Sequence, residues 1–381
     1  MQTYLHLADG EVIKGEQFGY PVESEGEVVF TTGMTGYVES LTDPSFAGQI
    51  LVFTYPLVGN YGVPRPVSLA KHLMGNMESE RIWVKGVVIA NLTIEPSHYD
   101  VFKSFDAWLK LHKIPGIFGV DTRALTHKLR EYGVMKGKIS FSKNAIFSEK
   151  KEQHWVSIVS CKEIIRYNPI SANYSLSEES KKRVEGLFFG KPSTSSGNKK
   201  THKHIALIDC GVKHGILREL LQLGFTVTRV PWNINPLSLN TKFDAVVCSN
   251  GPGDPKDCDV TINHVREILK VHIPYIGVCL GHQLLGLAIG ADTYKLPYGH
   301  RGLNQPCQDT FTKKAYVTSQ NHGYAVKPDT LPKGFSEWFI NLNDGTNEGI
   351  INEKQKVWSS QFHPEGNPGP FDTKWIFGLI Q

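Results

Sequence analysis

The sequence predicts an α/β protein whose C-terminal part is a doubly wound, mostly parallel open sheet, preceded by a strand-rich α+β domain. Three observations support this fold class. Short apolar runs separated by turn residues fill positions 1–145, and helical periodicity follows late in that region. Positions 146–203 lack strong periodicity, and strands alternate with helices over 204–381. We therefore predict an N-terminal domain at 1–145, a linker region at 146–203 and a second domain at 204–381.

The first domain is predicted from β-branched runs and one clear amphipathic helix. Val28–Thr31 and Ile50–Thr54 are rich in Val, Ile and Thr, which favour strands. In the segment Thr122–Arg130, Leu125 and Leu129 are four residues apart and share one helical face. The first domain is therefore expected to be rich in strands at its start and helical towards its end.

The linker prediction depends on two polar stretches. Ser171–Ser175 and Lys191–Lys200 are rich in small, polar and basic residues, which are typical of connecting segments. We place the end of this region near His204.

The second domain is predicted from the order in which its strands and helices follow each other. In a parallel sheet of this kind, binding sites form at the carboxyl ends of the strands. The loop at 209–211, the loop at 249–255 and the turn at Cys279 all follow predicted strands. The predicted strands are Ile205–Asp209, Thr226–Val230, Ala245–Cys248 and Ile273–Val278, and the predicted helices are Lys213–Leu223 and Val260–His272.

Composition argues against several classes of protein. The formal net charge of +4 is spread along 381 residues, so no special affinity for nucleic acid or membranes is expected. No apolar run approaches the ~20 residues that a membrane helix needs. The six cysteines form no CxxC pair, which argues against a disulfide framework and indicates a reducing compartment. Without a recognisable leader, we expect the cytoplasm, or the plastid stroma for an organelle-encoded chain, and not secretion.

The segment Gly277-Val278-Cys279-Leu280-Gly281 has the pattern of a nucleophile elbow with cysteine as the nucleophile. An apolar strand runs into a cysteine flanked by glycines, and a helix is predicted to follow. The positive end of that helix would favour a thiolate. A buried structural cysteine is the alternative, and this segment alone does not decide between them.

His363 and Glu365 provide a candidate base and a group to orient it. Residues two apart in extended chain face the same side, and Pro364 stiffens the link between them. The carboxylate would hold the imidazole and stabilise its protonated form, while the imidazole holds the thiolate. The alternative is an ordinary surface turn after a strand.

The loop Ser249–Pro255 offers backbone N–H groups for an oxyanion. With the Leu280 N–H after the nucleophile, the N–H of Gly251 is a suitable donor to a tetrahedral intermediate. A plain Gly-Pro-Gly turn is the alternative. The loop matches no phosphate-binding fingerprint, so no nucleotide site is predicted on this chain.

Three further histidines remain ambiguous from sequence. His282 lies three residues after the nucleophile on the predicted helix, where its ring is expected to point elsewhere. His300 and His322 have no ligand spacing around them, and we expect no metal site.

Four segments in this order resemble the class I, or triad, glutamine amidotransferases. The resemblance implies that Cys279 is the nucleophile, His363 the base and Glu365 its orienting group. It also implies that the γ-amide of glutamine is attacked, ammonia leaves and a γ-glutamyl thioester is hydrolysed. The segments are Ser249–Pro255, Gly277–Gln283, Ser319–Tyr324 and Gln361–Glu365.

The N-terminal half is similar to the small subunit of carbamoyl-phosphate synthases. The segments Gly33–Tyr37, Leu41–Ser45, Thr54–Gly62 and Gly119–Arg123 carry this similarity. It implies that ammonia passes to a separate large subunit, which holds ATP and Mg²⁺, and that this chain carries no cofactor. The residues implied to bind L-glutamine are Ser45, Gly251, Gly253, Leu280, Gln283, Asn321, Gly323 and Tyr324.

The chain departs from the family's pattern in three places. Tyr324 stands where phenylalanine is common, Gly366 where alanine is usual, and Cys307 where valine is usual. None of these positions belongs to the implied triad.

Three other functions are alternatives to a glutaminase subunit of carbamoyl-phosphate synthase. An amidotransferase subunit of an anthranilate- or GMP-type synthase would lack the domain at 1–145. A non-catalytic docking subunit would not need the thiol of Cys279. A cysteine hydrolase or peptidase on a similar fold would turn over peptides without forming a glutamyl thioester.

Overall fold

The structure is a computed structural model that describes residues 1–148, 153–169 and 203–381. The polar stretches Ser171–Ser175 and Lys191–Lys200, on which the linker prediction depends, lie outside the described residues. Two large sheets organise the described chain: a closed seven-stranded barrel and a ten-stranded open sheet. No helix in the described ranges is both long and apolar enough to cross a membrane.

The first 148 residues contain eleven strands and three α-helices. Seven of the strands close the barrel in the order β1-β11-β3-β4-β8-β10-β2. The strands are β1 (Gln2–Leu7), β2 (Val12–Gly19), β3 (Ser24–Thr31), β4 (Gln49–Phe53), β5 (Leu57–Val58), β6 (Ser68–Ala70), β7 (Leu73–Met74), β8 (Gly86–Val88), β9 (Asn91–Leu92), β10 (Pro115–Phe118) and β11 (Met135–Ser140), and the helices are α1 (Tyr37–Thr42), α2 (Phe105–Leu111) and α3 (Thr122–Tyr132).

The barrel is held together by alternating apolar side chains. Leu5, Val28 and Ile50 have no exposed surface and pack with Leu125 and Leu129 of α3 in one core cluster. The two leucines that share a helical face in the sequence therefore lie against the barrel. This confirms the predicted strand-rich α+β architecture of the N-terminal part.

The rest of the described chain contains ten strands and four α-helices. The strands are β12 (Ile165–Tyr167), β13 (His204–Asp209), β14 (Thr226–Pro231), β15 (Ala245–Cys248), β16 (Tyr275–Val278), β17 (Thr293–Asp309), β18 (Ala315–Val326), β19 (Ser336–Asn341), β20 (Asn347–Asn352) and β21 (Val357–Ser360), and the helices are α4 (Trp155–Val159), α5 (His214–Gln222), α6 (Asp259–Lys270) and α7 (Leu280–Ile289).

These ten strands form one mixed sheet in the order β12-β14-β13-β15-β16-β21-β20-β19-β17-β18. Five neighbouring strands of this sheet, β14, β13, β15, β16 and β21, pair in parallel, as predicted. Helix α5 packs in one core cluster, and α6 and α7 pack in another, so the parallel part is doubly wound. Antiparallel strands extend it on both sides. The predicted α/β class is confirmed. The antiparallel strands at both edges of the sheet were not predicted.

Part of the predicted linker region is folded. Residues 155–159 form α4, and β12 pairs antiparallel with β14, with Ile165 opposite Arg229. Ile165 and Tyr167 are buried in the core beside α5, whereas Arg166 between them is exposed. The described residues 153–169 of this region thus contain a helix and a strand, and the domain boundaries stay a prediction. A three-residue alternation among polar residues is too short to identify a strand from sequence.

Candidate active site

Cys279 lies on a sharp turn between β16 and α7. Its backbone has φ of 52° and ψ of −101°, and a positive φ is uncommon for a residue with a side chain. Such strain persists only where the surroundings impose it, and it is frequent at reactive residues. The structure thus places Cys279 on a strained strand-to-helix turn, in the geometry of a nucleophile elbow.

Only glycine fits on either side of this turn. A Cβ at Gly277 would lie 2.5 Å from the Gly281 carbonyl oxygen, and one at Gly281 would lie 2.2 Å from the Cys248 carbonyl oxygen. Both distances are far below van der Waals contact. The glycines therefore allow α7 to begin directly against β15 and β16.

His363 reaches Cys279 because its strand neighbours β16. Strand β21 pairs in parallel with β16, with Ser360 opposite Val278, so the segments after both strands emerge at one edge. The His363 N–H donates to the Ser319 carbonyl at 2.9 Å, which fixes the turn. The buried Nε2 of His363 has no hydrogen-bond partner among the described residues, and the nearby Cys279 side chain contributes to raising the pKa of His363.

Glu365 contacts His363 through the other ring nitrogen, Nδ1. Its Oε1 lies 2.8 Å from Nδ1 of His363, and both side chains are about 1% exposed. Burial acts against the charged imidazole, but the Glu365 carboxylate raises the pKa of His363 to about 10. At neutral pH His363 therefore holds a proton beside the sulfur of Cys279.

A buried cation holds Glu365 ionised. Nζ of Lys213, just before α5, lies 3.0 Å from Oε1 of Glu365. Burial alone would raise the pKa of Glu365, but Lys213 and then His363 hold that pKa well below its usual range. The same Nζ lies 3.9 Å from Glu78, which is also paired with Arg218 at 2.7 Å.

The sequence did not identify Lys213 or Glu78 as residues of this site. Lys213 opens a predicted helix, where a lysine is unremarkable, and Glu78 lies in an irregular segment of the N-terminal domain. The one available signal was that Lys213 follows the end of β13, the edge at which sites form. The N-terminal domain thus contributes a buried charge to the chain of ion pairs behind the triad.

The two predicted oxyanion donors converge beside the elbow. A Cβ at Gly251 would lie 2.8 Å from Cδ2 of Leu280, so the loop and the helix start are in contact. The Gly281 N–H donates to the Ser249 carbonyl at 3.0 Å and ties the two segments together. Neither the Gly251 nor the Leu280 N–H donates to another backbone carbonyl of the described chain. Their role as oxyanion donors stays a prediction.

A cavity of about 690 Å³ opens onto Cys279 between the two domains. This volume is within the range of small-molecule sites, roughly 300–1,000 Å³. Of the residues implied to bind glutamine, Leu280 alone does not line the cavity, because its side chain is buried beneath the elbow. The lining includes Ser45, Gly251, Gly253, Gln283, Asn321, Gly323 and Tyr324.

Hydrogen bonds fix the polar side chains of this cavity. Nε2 of Gln283 donates to the Tyr324 carbonyl at 2.9 Å, and Nδ2 of Asn321 donates to Asp43 at 2.9 Å. Ser45 accepts from Nδ2 of Asn250 at 2.9 Å. Because Asp43 and Ser45 belong to the N-terminal domain, both domains shape the cavity.

His282, His300 and His322, which were ambiguous from sequence, are all buried. Nδ1 of His282 lies 2.9 Å from the Ser359 hydroxyl, and burial lowers the pKa of His282 to about 3, so it is neutral. A pKa of about 3 makes His282 a much weaker proton acceptor than His363, whose pKa is raised to about 10.

His300, His322 and Glu348 form a buried cluster that has the donor types of a metal site. Oε1 of Glu348 lies 3.4 Å from His300 Nδ1 and 3.7 Å from His322 Nε2. His300 Nε2 also lies 2.8 Å from Asp344. Burial opposes protonation of His300, but the two carboxylates raise its pKa. The second carboxylate oxygen of Glu348, Oε2, is buried and has no hydrogen-bond partner among the described residues.

The chain matches two family models. Residues 5–139 match the family described as carbamoyl-phosphate synthase small chain, CPSase domain. Residues 206–381 match glutamine amidotransferase class-I.

Three curated relatives illustrate the similarity. The carbamoyl phosphate synthase small chain of Pyrococcus furiosus is 44% identical, with 98% of this chain and 95% of that protein covered. That of Methanopyrus kandleri is 43% identical, with 99% and 97% covered. The multifunctional protein pyr1-3 of Dictyostelium discoideum is 41% identical over 98% of this chain. This chain spans 16% of the length of that multifunctional relative.

Replacing Gly281 by alanine should disrupt the elbow. Because the added Cβ would lie 2.2 Å from the Cys248 carbonyl, we expect a loss of roughly 1–3 kcal/mol in the free energy of unfolding, typical of overpacking. Denaturant unfolding measures this loss. Gly378→Ala is the control, since nothing lies within 4 Å of its added Cβ. Equal stability of the two variants would contradict the described packing.

Replacing Glu365 by glutamine should lower both the rate and the pH at which activity declines. The carboxylate raises the pKa of His363 to about 10, so without it the imidazole loses its proton at lower pH. We expect the rate of ammonia release from glutamine to fall roughly 10²- to 10⁴-fold, the usual contribution of a positioned acid–base group.

The measurement is the pH profile of kcat/KM, with Glu337→Gln as the control. Glu337, unlike Glu365, is only partly buried, and its carboxylate accepts from the side-chain amide of Asn347. An alkaline limb at the same pH in Glu365→Gln and in the unmodified protein would refute the role given to Glu365.

Proposed function

This chain belongs to the carbamoyl-phosphate synthase small-chain family, and on that basis we propose that it is the glutaminase subunit of a glutamine-dependent carbamoyl-phosphate synthase. The observation that carries the proposal is the convergence of Cys279, His363 and Glu365 at one edge of the sheet, on a cavity that both domains line.

The first half of the reaction releases ammonia. The Cys279 thiolate attacks the γ-carbonyl carbon of L-glutamine, and a C–S bond forms as the carbonyl electrons move to oxygen. The N–H groups of Gly251 and Leu280 stabilise that oxyanion. His363 Nε2 donates its proton to the leaving nitrogen, the C–N bond breaks, and a γ-glutamyl thioester remains on Cys279.

The second half restores the enzyme. His363 takes a proton from water, and the resulting hydroxide attacks the thioester carbonyl. The C–S bond breaks to give glutamate and the Cys279 thiolate, and His363 again holds a proton. Glu365 and Lys213 keep His363 oriented through both halves, because their contacts are buried and do not depend on the substrate.

The ammonia is proposed to serve a large partner subunit. That subunit would bind ATP and Mg²⁺ and make carbamoyl phosphate from bicarbonate, ammonia and two ATP, for arginine and pyrimidine synthesis. The absence of a phosphate-binding fingerprint from the sequence of this chain supports this division of labour. We propose the cytoplasm or the plastid stroma as the compartment, in keeping with six unpaired cysteines.

Cys279→Ser should abolish carbamoyl phosphate synthesis from glutamine and spare synthesis from ammonia. The serine hydroxyl is far less ionised than a thiol, so attack on the γ-amide stops, whereas ammonia enters the partner's reaction directly. The experiment co-purifies the chain with a large synthase subunit and assays carbamoyl phosphate with each nitrogen source.

Cys258→Ser is the matched control, because this thiol is fully buried in the core away from the cavity. Undiminished glutamine-dependent synthesis by Cys279→Ser would indicate a docking subunit without catalysis. Failure to bind a large synthase subunit would instead favour the amidotransferase of another synthase. Turnover of peptides without a glutamyl thioester in quenched samples would favour a cysteine hydrolase.

A further inference from the structure

His300, His322 and Glu348 come from three different strands and meet in the interior of the protein. His300 of β17 lies opposite His322 of β18, and Glu348 lies on β20. All three side chains are buried, and one ligand atom of each lies within 4.8 Å of the other two. Glutamine hydrolysis by the triad gives these residues no role. Two imidazoles and a carboxylate are a donor set that zinc binds in proteins.

The contacts of His322 leave one of its ring nitrogens with a free lone pair. Its Nδ1 lies 2.9 Å from the Tyr324 carbonyl oxygen, which can only accept, so Nδ1 donates there. In the neutral ring Nε2 then carries the lone pair. It faces Oε1 of Gln320 at 3.3 Å and Oε1 of Glu348 at 3.7 Å. The amide nitrogen of Gln320 donates to the Thr318 hydroxyl at 3.2 Å, which keeps the amide oxygen towards His322.

His300 is arranged in the same way. Its Nε2 lies 2.8 Å from the Asp344 carboxylate and donates to it, so Nδ1 of the neutral ring carries a lone pair. That Nδ1 lies 3.4 Å from Oε1 of Glu348. Two donors lie near this point, the Asn341 amide at 3.4 Å from both atoms and the Thr346 hydroxyl at 3.4 Å from Oε1. These contacts are longer than the ~2.7–3.2 Å of ordinary protein hydrogen bonds.

Lone pairs of His300, His322 and Glu348 thus converge on one buried region. The second carboxylate oxygen of Glu348, Oε2, is also buried and has no hydrogen-bond partner in the described chain. A buried carboxylate without such partners is costly. A proton on Nδ1 of His300 would satisfy one of these contacts and leave Nε2 of His322 facing two oxygens. A divalent cation would satisfy all of them, because it accepts electron pairs from several ligands at once.

The spacing and the outer contacts both suit zinc. Zinc bonds of about 2.0–2.1 Å hold tetrahedral ligand atoms roughly 3.3 Å apart. Oε1 of Glu348 already lies 3.4 Å from His300 Nδ1 and 3.7 Å from His322 Nε2. Zinc-bound histidines usually donate their other N–H to a carboxylate or a backbone carbonyl. His300 does so to Asp344, and His322 does so to Tyr324.

We propose that His300, His322 and Glu348 bind one Zn²⁺ ion that ties β17, β18 and β20 together. The ion is structural, and no step of glutamine hydrolysis passes through it. Asn321 and Gly323 flank His322 and line the cavity at Cys279, so the ion fixes this wall of the cavity. The sequence led us to expect no metal site, because these ligands come from strands that meet in space and are separated in the chain.

The test measures zinc binding by the whole chain carrying Cys279→Ala, so that the thiolate of the nucleophile cannot take the ion. The protein is freed of metal with a chelator and titrated with Zn²⁺ alone in a calorimeter. We expect one Zn²⁺ per chain with a Kd below about 1 µM, since structural zinc sites bind at least this tightly. Saturating Zn²⁺ should also raise Tm, because it binds the folded state.

Variants of the cluster locate the ion. In the same protein, Glu348→Gln and His322→Gln should each reduce the zinc bound at about 1 µM from one ion to none. Asp344→Asn should weaken binding about 10- to 100-fold, the usual effect of losing an outer contact to a zinc-bound histidine. His72→Gln is the matched control, since His72 and Glu80 form a partly exposed pair at 2.8 Å outside the cluster. It should leave zinc binding unchanged.

Loss of zinc in Glu348→Gln, with a metal-free Tm within a few degrees of that of the Cys279→Ala protein, supports the proposal. Absence of binding below about 1 µM in the Cys279→Ala protein overturns it and favours a protonated His300. Zinc retained by the cluster variants also overturns it. If the buried variants do not fold, Asp344→Asn decides, because the side chain of Asp344 is 38% exposed and unchanged affinity there refutes the site. None of these outcomes depends on turnover of glutamine.

Discussion

The parallel pairing of β16 with β21 is the constraint on which the site depends. These strands are separated by about 80 residues of sequence, yet Val278 lies opposite Ser360. The nucleophile follows the first strand and the base follows the second, so the register of this ladder sets where the two side chains meet. A shift of one residue would turn either side chain to the other face of the sheet.

Charge compensation behind the triad follows from this arrangement. Bringing His363 and Glu365 into the protein interior removes both from water, a cost that a two-member pair alone offsets poorly. The ammonium of Lys213 lies 3.0 Å from the Glu365 carboxylate. Glu78 of the N-terminal domain and Arg218 extend this series of alternating positive and negative charges. The N-terminal domain is thus part of the electrostatic environment of the base, in addition to forming one wall of the cavity.

The same reasoning distinguishes the two buried groups of charges outside the triad. His300 lies 2.8 Å from Asp344 and 3.4 Å from Glu348, so carboxylates flank this imidazole on both ring nitrogens. Arg301 has no such partner among the described residues and faces a cavity.

Much of this protein was determined by its sequence. Alternation of strands and helices after His204 specified the doubly wound sheet, and the glycines around Cys279 indicated a turn that admits no Cβ, because both features are local. Only the tertiary structure brought Lys213 and Glu78 to the site. They are ordinary charged residues in their own segments, and their importance comes from burial beside partners far away in sequence. The short strand β12 was missed for the same reason, since its two core residues are identified by what they pack against. Local geometry can be read from neighbouring residues, but the cost of a buried charge depends on which distant groups surround it.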